Sequence, residues 1–256
     1  MPFGPGATLF LAVCVFFAGV VDALAGGGGL ISFPAYLAVG LNPALILGTG
    51  KLSSCLGTIV STVRYHRALK FSIKDFLPVI AASMIGSWLG ARAALLMDPG
   101  YIRPMLLLVL PVVSWLVWSK KDFGSLDDSA RLSAAERQRR GVLVSLPIGM
   151  YDGFFGPGTG TFFAIAFARW GRHDLLGATA RAKILNLVSN IAALITFIWA
   201  GRLDWKVGLS MGVLSAAGHW VGSHLGVRRG ATLIRPVVAL VCAGLFAKVL
   251  FDALHG

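Results

Sequence analysis

The chain has 256 residues, of which 56% are hydrophobic and only 13% are charged. This composition leaves too little polar surface to cover a soluble globule of this size, so it excludes a soluble domain and predicts an all-α polytopic membrane protein in a lipid bilayer. The formal net charge of +12 does not indicate nucleic-acid binding, because the lysines and arginines lie mostly in short segments between apolar runs.

Ten apolar segments follow one another, five on each side of one long hydrophilic stretch. They cover residues 7–25, 30–40, 44–64, 76–97 and 102–118, then 142–155, 161–170, 175–200, 206–226 and 233–251. The second segment of each set has only about ten residues, half of the roughly 20 that a spanning helix needs. We therefore expect eight to ten crossings, depending on whether segments 30–40 and 161–170 cross fully or are re-entrant.

The two sets of five are related by an internal repeat. Gly19, Asp22, Gly26 and Gly28 recur 130 positions later as Gly149, Asp152, Gly156 and Gly158. After a two-residue shift, Lys51 corresponds to Lys183, Trp88 to Trp220 and Gly90 to Gly222. Such coincidences at a fixed offset predict a duplication. We expect a first transmembrane repeat at 1–118, a cytoplasmic connector at 119–141 and a second transmembrane repeat at 142–256.

The connector and the distribution of basic residues predict the orientation. Ser133 and Glu136 have the spacing of a capping box, which predicts a short surface helix within the connector. If all ten segments cross, fifteen lysines and arginines lie inside and five outside; if the two short segments are re-entrant, the counts are thirteen and seven. The first arrangement is favoured, and its odd number of crossings per half predicts inverted repeats. Four crossings per half would make the repeats parallel.

Glycine-rich stretches interrupt one apolar run in each half, DALAGGGGL at 22–30 and DGFFGPGTG at 152–160. Two broken segments in matching halves indicate the binding site of a transporter, so we expect the breaks to face each other near the bilayer midplane. Half-helices beginning near Leu30 and Thr161 would direct free N–H groups at a bound anion. Close packing of helices is the alternative role of these glycines. The residues predicted to contact the anion here are Gly27, Gly28, Gly29, Gly158, Thr159 and Gly160.

Three basic residues lie inside apolar sequence at similar depths of the two halves: Lys51, Arg181 and Lys183. A charge at the centre of a membrane helix costs about 2.5 to 3.5 kcal/mol on insertion scales, so such residues usually face a polar interior. Hydroxyl and amide side chains accompany them at one-turn spacings: Thr49, Ser53, Ser54, Asn186 and Asn190. Cations with neutral donors predict a pocket for a small oxyanion. Snorkelling of the cations and hydrogen bonding between helices remain alternatives.

Asp22 and Asp152 are the acidic residues that lie inside apolar sequence away from segment ends. Pairing with a cation, capping of a half-helix and uptake of a coupling proton are all open as their role. His219 and His224 are five residues apart, a poor spacing for a shared helical face, so we interpret them as polar packing residues. We predict no metal site and no cofactor.

Two pairs of blocks carry a resemblance to a known family: DALAGGGGLISFPAYLAVG with LGTGKLSS, and YDGFFGPGTGTFF with ATARAKILNLVSNIAAL. They resemble the paired signatures of the TauE/SafE sulfite exporter family, the TSUP anion permeases, and are most similar to its YfcA-like branch. The resemblance implies a protein of the bacterial inner membrane that moves sulfite, sulfoacetate or related anions, coupled to an ion gradient. Gly50 departs from the family pattern, in which Asn is expected at this position.

We therefore predict a secondary transporter, not an enzyme, in which Lys51 and Lys183 attract an anion and the two halves rock about it. A passive anion channel is the nearest alternative. An intramembrane aspartyl protease is a more distant alternative. Tyr151 and Asp152 form the YD pair of such proteases and Asp22 is a second carboxylate, but the required GxGD sequence is absent. The sequence leaves open the substrate, the direction of transport, the coupling ion (proton or sodium) and whether the protein is a homodimer.

Overall fold

The computed structural model describes residues 3–69, 72–101, 104–105 and 126–229, and all regular structure in these ranges is helical. The α-helices are α1 (Pro5–Ala25), α2 (Gly29–Ala38), α3 (Pro43–Leu69), α4 (Leu77–Leu96), α5 (Ala134–Phe154), α6 (Thr159–Arg169), α7 (Leu175–Trp199) and α8 (Trp205–Arg229). The predicted segment 233–251, nearly all of 102–118 and residues 119–125 of the predicted connector lie outside the described residues.

Four stretches of the described helices are long and apolar enough to cross a membrane: Pro5–Ala25, Pro43–Leu69, Lys74–Leu96 and Leu175–Trp199. Large apolar side chains also point outward from the bundle, such as Leu9, Trp199 and Val213, each more than half exposed. An exposed apolar surface of this kind suits contact with lipid. The prediction of an all-α membrane protein is thus confirmed for the described part of the chain.

The local sequence explains where α5 begins. Ser133 precedes the helix, and its Oγ accepts a hydrogen bond from the backbone N–H of Glu136 at 3.2 Å, as the capping-box spacing predicts. The prediction of a short surface helix is wrong in length, because α5 continues without interruption to Phe154. The one glycine at the predicted end of the connector, Gly141, costs a helix only about 1 kcal/mol and does not stop it.

Small residues allow neighbouring helices to pack closely. α4 packs along α5, and a Cβ atom added at Gly90 would lie 1.9 Å from the carbonyl oxygen of Met150. α1 packs along α8, and a Cβ atom added at Gly222 would lie 2.3 Å from the carbonyl oxygen of Val20. Backbones approach this closely in membrane proteins where small residues line the contact.

Two long helices occupy the centre of the described bundle. α3 packs against α7 and α8, and α7 also packs against α4 and α6. In the most apolar stretch of α3, 67% of the residues are buried inside the protein, and in that of α7 61% are buried. The corresponding share in α1 is 33%. Polar side chains on α3 and α7 are therefore surrounded by protein, which positions the candidate site.

Candidate functional site

The two glycine breaks lie in direct contact inside the bundle. A Cβ atom added at Gly26 would lie 2.2 Å from the carbonyl carbon of Gly160, and Gly26 has a left-handed φ of 82°. Thr161 on α6 donates a hydrogen bond from Oγ1 to the backbone carbonyl of Ala25 at 2.6 Å. Only glycine combines this backbone conformation with so close an approach. We call the contact of residues 26–29 with residues 156–160 the junction.

A buried ion pair lies beside the junction. Nζ of Lys51 on α3 is 2.9 Å from Oδ1 of Asp152 on α5, and the two side chains are only 4% and 2% exposed. Nζ of Lys51 also donates to Oδ1 of Asn190 at 2.8 Å, while Oγ of Ser189 donates to Oδ2 of Asp152 at 2.5 Å. Each charged group therefore has both an ionic partner and a neutral hydrogen-bonding partner, as a buried charge requires.

A second buried cluster surrounds Asp22 at the end of α1. Nζ of Lys183 on α7 is 3.3 Å from Oδ2 of Asp22 and also contacts the backbone carbonyl of Asp22. Nε2 of His219 on α8 is 2.9 Å from the same Oδ2. The backbone N–H of Gly28 donates to Oδ1 at 3.2 Å. The carboxylate of Asp22 thus occupies the start of α2, the position at which the sequence predicts an oxygen of the bound anion.

A small cavity of about 20 Å³ lies between the two clusters. The predicted site residues that line it are Asp22, Gly29, Lys51, Ser54, Asp152, Asn186 and Asn190. Its volume suffices for about one water molecule and is too small for sulfite or a larger anion. The site is therefore closed in this structure.

An aromatic ring forms part of the cavity wall. Phe33 and Gly50 both line the cavity, and a Cβ atom added at Gly50 would lie 2.5 Å from Cε1 of Phe33. The Asn expected at position 50 from the family resemblance would displace this ring. The departure at Gly50 therefore accompanies an apolar wall on this side of the site.

The other predicted contact residues do not line the cavity. Lys183 lies behind Asp22, and Gly27, Gly28, Gly158 and Gly160 form the backbone of the junction. The hydroxyl of Thr49 accepts from the N–H of Asp204 at 2.9 Å, that of Ser53 donates to the carbonyl of Gly50 at 3.0 Å, and that of Thr159 donates to the carbonyl of Gly156 at 2.6 Å. These hydroxyls thus hold the surrounding helices and breaks in place.

Arg181 lies apart from Lys183. The two residues are two positions apart on α7, a spacing that places side chains on different faces of a helix. Arg181 lines a cavity of about 640 Å³ together with Arg137, Arg140 and His173, and its Nη1 donates to the carbonyl of Gly177 at 3.1 Å. The structure therefore does not bring Arg181 to the small cavity.

His219 is the residue that the sequence interpretation misses. Its Nδ1 is 2.9 Å from the carbonyl oxygen of Ser215, and a Cβ atom added at Gly57 would lie 2.3 Å from the same Nδ1. A histidine in the middle of a membrane helix is by default a candidate for function, which is the signal available from sequence. Within the described residues, no group of three His, Cys, Asp or Glu side chains is placed to hold a metal ion.

Comparison with known proteins identifies relatives over almost the whole chain. Residues 11–249 match the family described as Sulfite exporter TauE/SafE. The probable membrane transporter protein ORF9 of Sinorhizobium sp is 37% identical over 246 residues, covering 96% of this chain and 93% of that protein. The probable membrane transporter protein YfcA of Escherichia coli strain K12 is 37% identical over 260 residues, covering 98% and 91%.

A probable membrane transporter protein of Haemophilus influenzae is 36% identical over 246 residues, covering 95% of each chain. No solved structure matches the chain. The relatives are named as membrane transporters, and the resemblance carried by the two glycine blocks is confirmed. The chain is a multi-pass membrane protein that belongs to the sulfite exporter TauE/SafE family.

Proposed function

We propose that the protein is a secondary transporter of small anions, which bind where the junction brings the two lysine–aspartate pairs together. Sulfur-containing or carboxylated anions such as sulfite and sulfoacetate are the proposed substrates, in line with the family description. The observation that carries the proposal is the meeting of both glycine breaks at a closed polar cavity. Broken backbone of this kind at membrane depth is typical of transporter sites.

The pattern of contacts supports two related halves that contact each other reciprocally. Lys51 of the first half pairs with Asp152 of the second, and Lys183 of the second half pairs with Asp22 of the first. The close contact of Gly90 on α4 with α5 likewise has a counterpart in the contact of Gly222 on α8 with α1. A two-fold relation that exchanges the halves produces both kinds of pairing. We therefore propose 1–118 and 142–256 as the two related repeats, joined by a cytoplasmic connector from which α5 continues into the second repeat.

The lysines are already neutralised in the closed structure, so an incoming anion has to compete with a carboxylate. Two unit charges 4 Å apart attract each other by about 4 kcal/mol at an effective dielectric constant of about 20. Replacing the carboxylate of Asp152 at Lys51 by an oxyanion exchanges two interactions of similar size. Binding of this kind is reversible, as transport requires.

Alternating access supplies the path for the anion. A cavity of about 20 Å³ cannot admit sulfite, so binding requires helices around the junction to separate on one side of it. Rocking of groups of packed helices about the junction would then open the site to each side of the bacterial inner membrane in turn.

Anion binding is tested by thermal stabilisation of the purified protein with sulfite, sulfoacetate and small carboxylates. At about 100 times its Kd, a bound anion stabilises the wild type by about 2.7 kcal/mol. The double variant Lys51→Met/Asp152→Asn removes one ion pair without leaving a charge unpaired, and we expect it to lose this stabilisation. Lys206→Met, a matched change of an exposed lysine, keeps it. Equal stabilisation of the double variant would overturn the assignment of the site.

Flux measurements separate the candidate functions. In proteoliposomes, saturable and gradient-driven accumulation of labelled sulfite or sulfoacetate supports a carrier. A conductance that rises linearly with concentration supports a passive channel instead. Peptide cleavage by Asp22 and Asp152 without anion flux would support the protease alternative and contradict the transporter.

A further inference from the structure

The hydrogen bonds of His219 determine where its protons lie. Nδ1 is 2.9 Å from the carbonyl oxygen of Ser215, and Nε2 is 2.9 Å from Oδ2 of Asp22. A carbonyl oxygen only accepts hydrogen bonds, so Nδ1 carries a hydrogen. Nε2 and Oδ2 are at hydrogen-bond distance, so one of these two atoms also carries a hydrogen. The two side chains together thus hold one proton more than a neutral histidine beside an ionised aspartate.

The other neutral tautomer does not fit these contacts. With a hydrogen on Nε2 alone, the Nδ1 lone pair would face the carbonyl oxygen of Ser215 at 2.9 Å, and Oγ of Ser215 could offer only a long hydrogen bond at 3.4 Å. The imidazole has little room to turn away, because the backbone of Gly57 on α3 lies against Nδ1. Loss of the proton would therefore disturb the contact of α8 with α1 and α3.

We propose that His219 and Asp22 form a proton-binding site that couples anion transport to the proton gradient. The proposal rests on the proposed function for the anion and adds the coupling ion and the residues that carry it. Acid–histidine contacts in the interior of membrane proteins are typical of proton pathways.

Charge balance in the closed site supports the coupling. Lys51 and Lys183 contribute two positive charges, and Asp22 and Asp152 contribute two negative charges, so the four groups sum to zero. The proton shared by His219 and Asp22 raises the sum to one positive charge, which offsets one negative charge of a bound anion. A protein that needs this charge to bind its anion binds proton and anion together.

The groups around the proposed proton site are few. Lys183 of α7 faces Asp22 directly, and Lys51 of α3 and Asp152 of α5 lie across the small cavity. The residue before α2 presents the backbone N–H of Gly28 to Asp22, and α3 presents Gly57 next to the imidazole. Arg64 of α3 contacts His224, one turn beyond His219 on α8. No carboxylate other than Asp22 contacts His219 within the described residues.

The first test reads the proton without any ligand. In ¹⁵N-histidine spectra of the purified protein at about pH 7, the signals lost in His219→Gln belong to His219, while His224→Gln is the matched control on the same helix. We expect a protonated Nδ1 and an Nε2 that shares a proton with a carboxyl group. A neutral ring with its only hydrogen on Nε2 would overturn the proposal.

The second test reads the coupling, with sulfoacetate as the probe because both of its acidic groups stay ionised above about pH 5. Between about pH 6 and 8.5, we expect the affinity of the wild type to stay constant while the free protein keeps the shared proton, and then to fall as pH rises, by at most about tenfold per pH unit, the limit for one coupled proton. His219→Gln flattens this dependence, and His224→Gln keeps it. A flat dependence in a wild type that binds sulfoacetate would overturn the coupling. A wild type that binds no anion at any pH would overturn the proposed function, while the spectra still decide the proton site.

Discussion

The two buried aspartates lie in matching positions of the two halves, but their surroundings differ. Asp152 accepts from a lysine and a serine, Lys51 and Ser189. Asp22 contacts Lys183 and also His219, whose ring nitrogen Nε2 can either donate to the carboxylate or accept from it. One architecture thus holds one buried carboxylate between a lysine and a serine, and the other between a lysine and a histidine.

Different side chains at two pairs of corresponding positions produce this difference. At the offset of 132, His219 corresponds to Ser87 and Ser189 corresponds to Gly57. Beside Asp22, the missing side chain of Gly57 leaves room for the imidazole of His219. Beside Asp152, Ser189 donates to the carboxylate, and Ser87 donates to the carbonyl of Ser189 at 2.6 Å. The one bulky side chain at the Asp22 site thus corresponds to two small ones at the Asp152 site.

The largest expected effect comes from removing one lysine at a time. Lys51→Met leaves Asp152 buried and unpaired, which destabilises the fold by about 3 to 5 kcal/mol. Lys183→Met should lower the free energy of unfolding by less, because Asp22 can keep a proton from His219. The loss should be smaller still at acidic pH. The free energy of unfolding of both variants in detergent, at about pH 6 and 8, measures the difference.

The control for this prediction is Lys51→Met/Asp152→Asn, which leaves no unpaired charge and recovers most of the lost stability. Equal costs for Lys51→Met and Lys183→Met at both pH values would mean that the two aspartates behave alike. That result would contradict the comparison between the two sites.

The next effect concerns the junction, which fixes the spacing of both aspartates. Gly26 and Gly40 both have left-handed φ values, 82° and 79°. A Cβ atom added at Gly26 would collide with Gly160, whereas one added at Gly40 would have no atom within 4 Å. Gly40→Ala costs about 1 to 2 kcal/mol of backbone strain. Gly26→Ala adds overpacking of about 1 to 3 kcal/mol and displaces both sites. Thermal unfolding compares the variants, and equal losses would contradict close contact at the junction.

The smallest expected effect on stability comes from a second histidine–aspartate contact, which can be compared with that of His219. In the loop between α6 and α7, Nδ1 of His173 is 3.5 Å from Oδ2 of Asp127. Burial and the nearby Arg181 lower the pKa of His173 to about 4, so the ring is neutral at pH 7 and the contact is not an ion pair. Because this pKa lies below the unfolded value of about 6.5, the neutral ring stabilises the fold above about pH 6.5.

This stabilisation is lost as pH falls from about 6.5 to 4, by about 1 to 2 kcal/mol at pH 5. Unfolding measured across this range should flatten in His173→Gln relative to the wild type. The same variant should leave the pH dependence of sulfoacetate binding unchanged, which separates it from His219→Gln. A change of that pH dependence in His173→Gln would mean that His173, and not His219, holds the coupling proton.

The sequence by itself determined the family, the helical class and the places where helices break. Apolar runs and glycine act locally, so the predicted half-helix starts near Leu30 and Thr161 lie within two residues of the observed starts at Gly29 and Thr159. The extent of α5 was missed because a basic, polar stretch reads as a connector although nothing in it stops a helix.

Only the tertiary structure decided which side chains meet. Lys183 and Arg181 have the same local setting, but the turn of α7 sends one to Asp22 and the other to a separate cavity. The partners of Lys51 and the role of His219 depend on residues more than 100 positions away in the chain. Helix formation follows from neighbours in sequence, whereas ion pairs and shared protons follow from which helix faces are packed together, and that packing is decided by the whole bundle.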